Sequence, residues 1–502
     1  MKRIILFLAI AAVIASCRHD GQIVFSHPED SVAIPAPDYV AIEEGRFAIN
    51  GDVWFPIMLN YKAEIHLVDG TPKILPANYY TQGTMREHFD TIASWGFNAI
   101  RLCLDSDSIG EELNIKDTAA MLLETRRAIQ MADSAGLRVL LLIRKPFSPI
   151  QEAYTKCLLR TLADLPALWA YDFMNEPLYF DPAPTREKQE AVNIASEWRH
   201  WVRQYAPHQL FTISSAEPIE VFEWDPSILP IDFIEIHTYH PMRWLSEMTW
   251  YSRYCHKPWM VGETGLPSDN DSVPYEWQRR FLYETYQYAN LLGAIGYGWW
   301  EFQDCPGYDN FEGRHTGLRD ADGKAKPATR VLKDSWFCFS INLEGFTPPN
   351  YYNMLGYSNI CLTGTIIDEE TKRPVEGAVI RGWNSDWSVG MNTFSDSCGN
   401  FTLYSNDYNI HFEISAPGMS HLKFDKRHLR YKNVGTIDKD NLPDRKREYQ
   451  QIDYRHYLES DSTGNPLYMS PTNPDLFNRY SLTADLGTIK LKKIQEPSIL
   501  KK

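Results

Sequence analysis

The 502-residue chain contains no Cys-x-x-Cys pair, and beyond Cys17 its cysteines, at 103, 157, 255, 305, 338, 361 and 398, are widely spaced. Spacing of this kind signals neither a disulfide framework nor a zinc site. A surplus of positive charge is also missing. The formal net charge is −15, which argues against nucleic acid and anionic surfaces as partners, because phosphate binding needs clustered Lys and Arg. The apolar run Ile4–Ile14 is too short to span a bilayer as a mature helix. No Gly-rich dinucleotide loop follows the first strand-like segment, so a doubly wound nucleotide-binding sheet ranks low and no cofactor is implied.

What is present is globular. Hydrophobic residues make up 44% and charged residues 23% of the chain, enough burial to offset chain entropy. The length suggests two or three domains. Lys2 and Arg3 precede the run Ile4–Ile14, which ends in Ala15-Ser16-Cys17. This pattern resembles a bacterial lipoprotein signal, which implies that residues 1–17 are an address, that Cys17 is lipidated, and that the protein is exported and anchored to a membrane, outer membrane or cell surface, through lipid alone. The alternative is an ordinary secretory signal with an incidental Cys. Residues 18–40, with Pro28, Pro35 and Pro37, read as a tether.

From residue 41 apolar strands alternate with amphipathic helices. Asn50-Gly51 signals a hairpin whose second arm, Val53–Asn60, is expected to be the first barrel strand. Further strands are expected at Ala99–Leu104, Arg138–Ile143, from Leu168, and at Leu210–Ser214, Phe233–His237, Trp259–Glu263 and Gly296–Phe302. Helical spacing falls at Tyr79–Trp95, Thr118–Ala135, Ile150–Leu162, Glu187–Tyr205, Met242–Tyr254, Val273–Asn290 and Ala328–Phe337, with Gly96 and Gly136 placed as C-caps. No clear helix separates the fifth and sixth strands. Eight strands alternating with helices over residues 41–342 predict an α/β fold, a (β/α)8 TIM barrel.

Residues 343–357, with Pro348-Pro349, read as a linker. Beyond them the helical period vanishes and strands are expected at Asn359–Asp368, Ala378–Trp383 and Phe401–Tyr404. The strings Leu362-Thr-Gly-Thr-Ile-Ile-Asp, Pro374-Val-Glu-Gly-Ala-Val and Thr393-Phe-Ser-Asp-Ser-Cys-Gly-Asn-Phe resemble the carboxypeptidase regulatory-like domain, and Leu486-Gly-Thr-Ile-Lys-Leu491 resembles its last strand. The resemblance implies a small transthyretin-like β-sandwich over residues 358–492, carrying an insertion at about 426–485, with 493–502 as a tail.

Polar groups collect where barrel strands end. Strand two carries Arg101, strand four ends in Asn175-Glu176-Pro177, strand six gives His237-Thr-Tyr239, strand seven ends in Gly262-Glu263 and strand eight adds Trp299-Trp300. In a parallel barrel such positions converge on one mouth. His237 and Tyr239, two apart on a strand, share a face. Two carboxyls facing each other across a cleft suit glycoside hydrolysis, one protonated to donate and one ionised to attack. Fifteen Trp and 28 Tyr supply flat apolar rings of the kind that stack on sugars.

With these motifs, residues 40–342 resemble the clan of retaining (β/α)8 glycoside hydrolases that includes families 5 and 2, often described as cellulase-like. The resemblance implies a β-linked glycan substrate, Glu176 as acid/base, Glu263 as nucleophile, Asn175 at the 2-hydroxyl, Arg101 holding Glu263 ionised, His237 and Tyr239 lining the site with Tyr239 bonded to Glu263, and Trp300 flooring the sugar that is cleaved. No metal is implied. The chain departs from family 5 at the end of strand three, where Leu141-Leu-Ile-Arg-Lys-Pro146 stands in place of the usual His. Arg144 and Lys145 there either meet an acidic or sulfated sugar or pair with local carboxylates. A glycan-binding surface lipoprotein that keeps the cleft without turnover is the alternative function.

Overall fold

The computed structural model describes residues 38–104, 118–143, 145–183, 185–239, 243–333, 360–388, 390–405, 407–435 and 482–494. Cys17 and the signal, nearly all of the tether, Arg144, the linker 343–357, most of the insertion and most of the tail lie outside the described residues.

The described residues open with a small antiparallel sheet of β1 (Val40–Glu43), β2 (Arg46–Ile49) and β3 (Asp52–Val53). Asn50 and Gly51, at φ 54° and 85°, make the turn between β2 and β3, as their sequence predicts. The second arm is not the barrel strand. It stops at Val53, and the first barrel strand is β4 (Ile57–Val68). The small sheet instead closes the bottom of the barrel, where the Phe47 ring meets Trp169 and Phe233 edge-on, with centroids at 5.0 and 5.1 Å.

β4 runs past the barrel and folds back antiparallel through Asp69-Gly70 into β5 (Thr71–Pro76). Then follow α1 (Met85–Ser94), β6 (Ala99–Leu104), α2 (Thr118–Ser134), β7 (Arg138–Leu142), α3 (Pro149–Leu162), β8 (Leu168–Asp172), a single helical turn α4 (Pro177–Phe180), α5 (Lys188–Tyr205), β9 (Leu210–Thr212) and β10 (Ser214–Ser215). A 3-10 turn at Pro218–Phe222 stands where the sequence shows no helix. The barrel continues with β11 (Ile234–His237), α6 (Trp244–Tyr254), β12 (Trp259–Glu263), α7 (Tyr275–Leu291), β13 (Tyr297–Trp299) and α8 (Phe311–His315). Where Ala328–Phe337 reads as helical, Pro327–Arg330 forms a 3-10 turn and residues from 334 lie outside the described ones.

The parallel strands pair in the order β10-β11-β12-β13-β4-β6-β7-β8-β9. β9 and β10 belong to one stretch, 210–215, so the sheet closes on itself as an eight-position barrel. Local sequence explains the helices: Thr84 forms a capping box with Glu87 at the start of α1, and Ser148 does so with Gln151 at the start of α3, satisfying N–H groups that the first turn leaves unpaired. Inside, the barrel is layered. Met58, Ala99, Leu140, Ala170 and Met260 form an apolar floor, while Asn60, Arg101, Asp172 and Glu235, all fully buried, form a polar layer above it.

After the barrel comes a β-sandwich of two four-stranded sheets. One is β17 (Asn400–Ser405), β14 (Ile360–Asp368), β21 (Leu482–Leu491) and β20 (Lys432–Asn433). The other is β16 (Gly390–Phe394), β15 (Val379–Trp383), β18 (His411–Ser415) and β19 (Leu422–Asp425). Ile360, Leu362, Ile380, Leu403, Phe412 and Ile414 fill the space between them. Among the described residues no helix is long and apolar enough to cross a membrane. Cys157 is disulfide-bonded, which sequence spacing did not signal because it reports neighbours along the chain and not in space; Cys103, Cys255, Cys305 and Cys398 are free thiols.

Candidate active site

Arg101 on β6 is the hub of the mouth. Fully buried, it pairs with Asp172 at 2.7 Å and with Glu235 at 3.3 Å, and it donates to Glu263, to Asn175 Oδ1 at 2.7 Å and to Asn60 Oδ1 at 3.1 Å. A guanidinium suits this place because its planar fork can serve several carboxylates at once. Asn60 in turn donates to the carbonyls of Gly262 at 2.9 Å and Trp299 at 3.0 Å, tying strands one, seven and eight together just below the mouth.

Glu263 ends β12. One oxygen accepts from Arg101 and the other from the Tyr239 hydroxyl. Burial and the neighbouring Glu263 push the Tyr239 pKa well above its ordinary value, so the phenol stays a donor. Glu176, just past β8, adopts a left-handed conformation (φ 42°, ψ 74°) at the start of α4, with its N–H donating to Ser214 O at 3.0 Å. Left-handed backbone at a non-Gly residue is unfavourable and persists only where the surroundings impose it. Here it aims the carboxyl at His237, whose Nδ1 lies 2.7 Å from Glu176 Oε1 and 3.6 Å from Glu263 Oε2. Burial disfavours charge on His237, but Glu263, Glu176 and Glu235 outweigh it and push its pKa up to about 10. The imidazolium is therefore a donor at neutral pH.

One oxygen from each of Glu176 and Glu263, together with a ring nitrogen of His237, lies within 4.8 Å of the others. Such a trio could hold a divalent ion, but Arg101 and Tyr239 already occupy Glu263, and His237 donates to Glu176, so an ion would have to displace a full set of hydrogen bonds. Beside Glu176 opens a cavity of about 180 Å³, lined among others by Tyr179, Glu217, His237, Tyr239, Arg243 and Glu312. Burial raises Glu312 to about 7, with Arg243 opposing and Glu176 adding to the shift.

The residues singled out in the sequence, Arg101, Asn175, Glu176, His237, Tyr239 and Glu263, thus meet at one mouth. Trp300 stands at the same rim, half-buried, with the Lys62 ammonium 5.9 Å from its ring centre. Lys145 donates to the Phe180 carbonyl. Asn60, Lys62, Asp172, Glu235 and Glu301 were not singled out. Their signal was a polar residue at an inward-facing position of an otherwise apolar strand. Glu301 is fully buried, raised to about 7 by burial, and held by the Tyr79 and Tyr80 hydroxyls at 2.9 and 3.1 Å.

Fold and site together define a (β/α)8 barrel with a supported carboxylate pair at its C-terminal face. No family model matches the chain, and no curated protein is similar to it. Solved structures are similar to it over part of its length. The exo-beta-1,4-mannosidase Op5Man5 from Opitutaceae bacterium strain TAV5 is 20% identical over 58% of this chain, with a TM-score of 0.46, and the match spans 61% of that protein's length. GH5_18 from Streptomyces cattleya in complex with GlcNAc is 15% identical, covering 63% of this chain and 85% of its own, with a TM-score of 0.43. The beta-glucuronidase of Ruminococcus gnavus is 15% identical, covering 59% and 52%, with a TM-score of 0.44.

Proposed function

We propose that the protein is a retaining β-glycoside hydrolase that cleaves a β-linked oligo- or polysaccharide by double displacement. The observation that carries this reading is the spacing of the two carboxyls. One oxygen of Glu176 and one of Glu263 lie within 4.8 Å of each other, nearer to the separation of about 5–5.5 Å of a retaining pair than to the about 6.5–9.5 Å of an inverting one.

In this reading Glu263 attacks the anomeric carbon. Arg101 and Tyr239 each bond one of its two oxygens and so orient the carboxyl. Glu176 protonates the departing oxygen, and a glycosyl-enzyme ester forms at Glu263. Glu176 then takes a proton from water, which attacks the same carbon from the opposite face and restores the β-anomer. His237 donates to Glu176 and fixes its orientation. Asn175 gives its carbonyl oxygen to Arg101, which turns its amide nitrogen outward as a donor for a sugar hydroxyl. Trp300 floors the ring. A protein that only binds glycans has no need of a carboxylate held by both an Arg and a Tyr.

Mutation tests the reading. Glu263→Ala should abolish turnover of aryl β-glycosides. Glu176→Gln should keep the first step for good leaving groups, and azide should rescue the second by attacking without a base. Proton NMR should show the β-anomer formed first. An α-anomer, or full activity in Glu263→Ala, would overturn the assignment. Export, lipid attachment at Cys17 and a spacer or docking role for the sandwich, read as a carboxypeptidase regulatory-like module, belong to the same proposal. Cys17→Ala should remove the acylated form from the membrane fraction, and unchanged retention there counts against the anchor.

A further inference from the structure

Lys62 is a cation that the reaction described above does not use. It follows Asn60 by two residues on β4, so both project from the same face of the strand, and Asn60 reaches into the barrel as far as Gly262 and Trp299. The Lys62 ammonium stands among three aromatic rings, 5.5 Å from the centre of Tyr79, 5.9 Å from Trp300 and 5.2 Å from Tyr308. Its one hydrogen bond among the described residues goes to the Tyr308 hydroxyl at 3.2 Å, and it has no ion-pair partner there. Burial works against its charge, but Glu301 and the Tyr308 hydroxyl more than offset this and hold the pKa above the ordinary value. Glu301, the carboxylate that does most to hold this charge, is buried, accepts from two tyrosine hydroxyls at one oxygen, and makes no ion pair with Lys62 among the described residues.

The side of the mouth on which this ammonium stands decides what it can touch. Glu176 serves the leaving group, and the cavity beside it is lined from the ends of strands four to six by Tyr179, Glu217, His237 and Arg243, with Glu312 of α8 reaching in from beyond strand eight. Lys62 lies on the opposite side, where strand eight pairs with strand one, next to Trp300. A sugar bonded to Glu263 over the Trp300 ring therefore presents an edge to Lys62.

We infer that Lys62 recognises an anionic substituent, a carboxylate or a sulfate ester, on the sugar that becomes bonded to the enzyme. The inference rests on the roles given above to Glu263 and Trp300. An ammonium whose one hydrogen bond among the described residues goes to a neutral hydroxyl gains a charge-assisted bond when an anion arrives, and the aromatic rings around it reduce competition from water. A neutral sugar offers no such gain.

The experiment compares aryl β-glucuronide, aryl β-glucoside and aryl β-glucoside 6-sulfate, all with one leaving group, on wild type, Lys62→Gln and Lys62→Arg. Wild type should prefer one of the anionic sugars, and whether that is the uronide or the sulfate identifies the source of the charge. Lys62→Gln should lower kcat/KM on the preferred anionic substrate about 10- to 100-fold, as loss of a hydrogen bond to a charged group does. Activity on the neutral glucoside should stay within about threefold, and Lys62→Arg should recover part of the loss. Preference of wild type for the neutral sugar, or an equal loss on all three in Lys62→Gln, would overturn the inference and leave Lys62 as a counter-ion for Glu301. Saturation-transfer NMR with free glucuronate, glucose 6-sulfate and glucose separates this outcome from failure of the hydrolase reading. Lys62-dependent binding of an anionic sugar without turnover upholds the anion site and sinks the hydrolase. Binding without charge preference sinks the site.

Discussion

Glu220 illustrates how a single carboxyl ties this site to pH. It is buried beneath the cavity beside Glu176, with Oε1 accepting from the N–H of Leu178 at 3.0 Å and of Ala216 at 3.3 Å. Burial raises its pKa to about 8, the two N–H donors oppose the shift, and Glu176 adds to it. The unfolded chain loses this proton near the ordinary value of about 4.3, while the folded chain keeps it to about 8. Folded protein therefore binds more protons across that interval, and stability falls as pH rises through it. Glu220→Gln keeps an acceptor for both N–H groups and has nothing to ionise. Its melting temperature should match wild type near pH 5 and exceed it near pH 8; parallel curves would refute the assignment. The sequence made Glu176 and Glu263 legible because each ends an apolar strand. It hid Glu220, Glu235 and Glu301 because an acid inside an apolar stretch looks the same whether solvated or buried, and only the packing tells which.

At the scale of the element, the strand and helix alternation was readable because buried parallel strands are near-continuous apolar runs and the helices between them show one apolar face. Ala99–Leu104 and Trp259–Glu263 fall where the sequence put them. The β4–β5 hairpin did not, although Asp69-Gly70 is as strong a turn signal as Asn50-Gly51. Ending the first barrel strand at Asn60 left no partner for the residues beyond, and β4 in fact continues to Val68, out of the barrel. Glycine explains a second feature that no periodicity reveals. A Cβ on Gly262 would lie 2.2 Å from Glu235 Oε1 and 2.3 Å from its Cγ, so β12 leaves the space that the Glu235 carboxyl fills beside Arg101. Gly262→Ala should destabilise the fold by about 1–3 kcal/mol, as overpacking does, and should lower kcat because the displaced residue adjoins Glu263. Gly307→Ala, whose Cβ would meet nothing within 4 Å, serves as the control in denaturant melts. Equal midpoints for the two variants would refute the packing argument.

For the whole molecule, the decisive contact is between barrel and sandwich. Lys188 on α5 is buried, pairs with Asp225 at 2.9 Å and donates across to the Met419 carbonyl at 2.8 Å, while Gly418 N–H donates back to Asp225 at 2.9 Å. Trp250 Nε1 donates to the Gly377 carbonyl at 2.8 Å, and the Phe222 ring stacks on His421 with centroids 4.8 Å apart. Phe222 ends the 3-10 turn that begins one residue after Glu217, which lines the cavity beside Glu176 and pairs with Arg243 at 3.0 Å. The sandwich thus braces a wall of the candidate site, a role that its sequence, with none of the strand-end carboxyl motifs, did not disclose. Lys188→Ala leaves Asp225 buried without its cation, a change that costs about 3–5 kcal/mol when a buried pair is broken on one side. The expected result is a lower denaturation midpoint together with a raised KM for oligosaccharides that occupy the leaving-group side. Turnover of a small aryl glycoside, which needs little of that wall, should stay within a few-fold. A variant that melts early yet binds oligosaccharides as wild type does would show that the sandwich supports the fold without shaping the site.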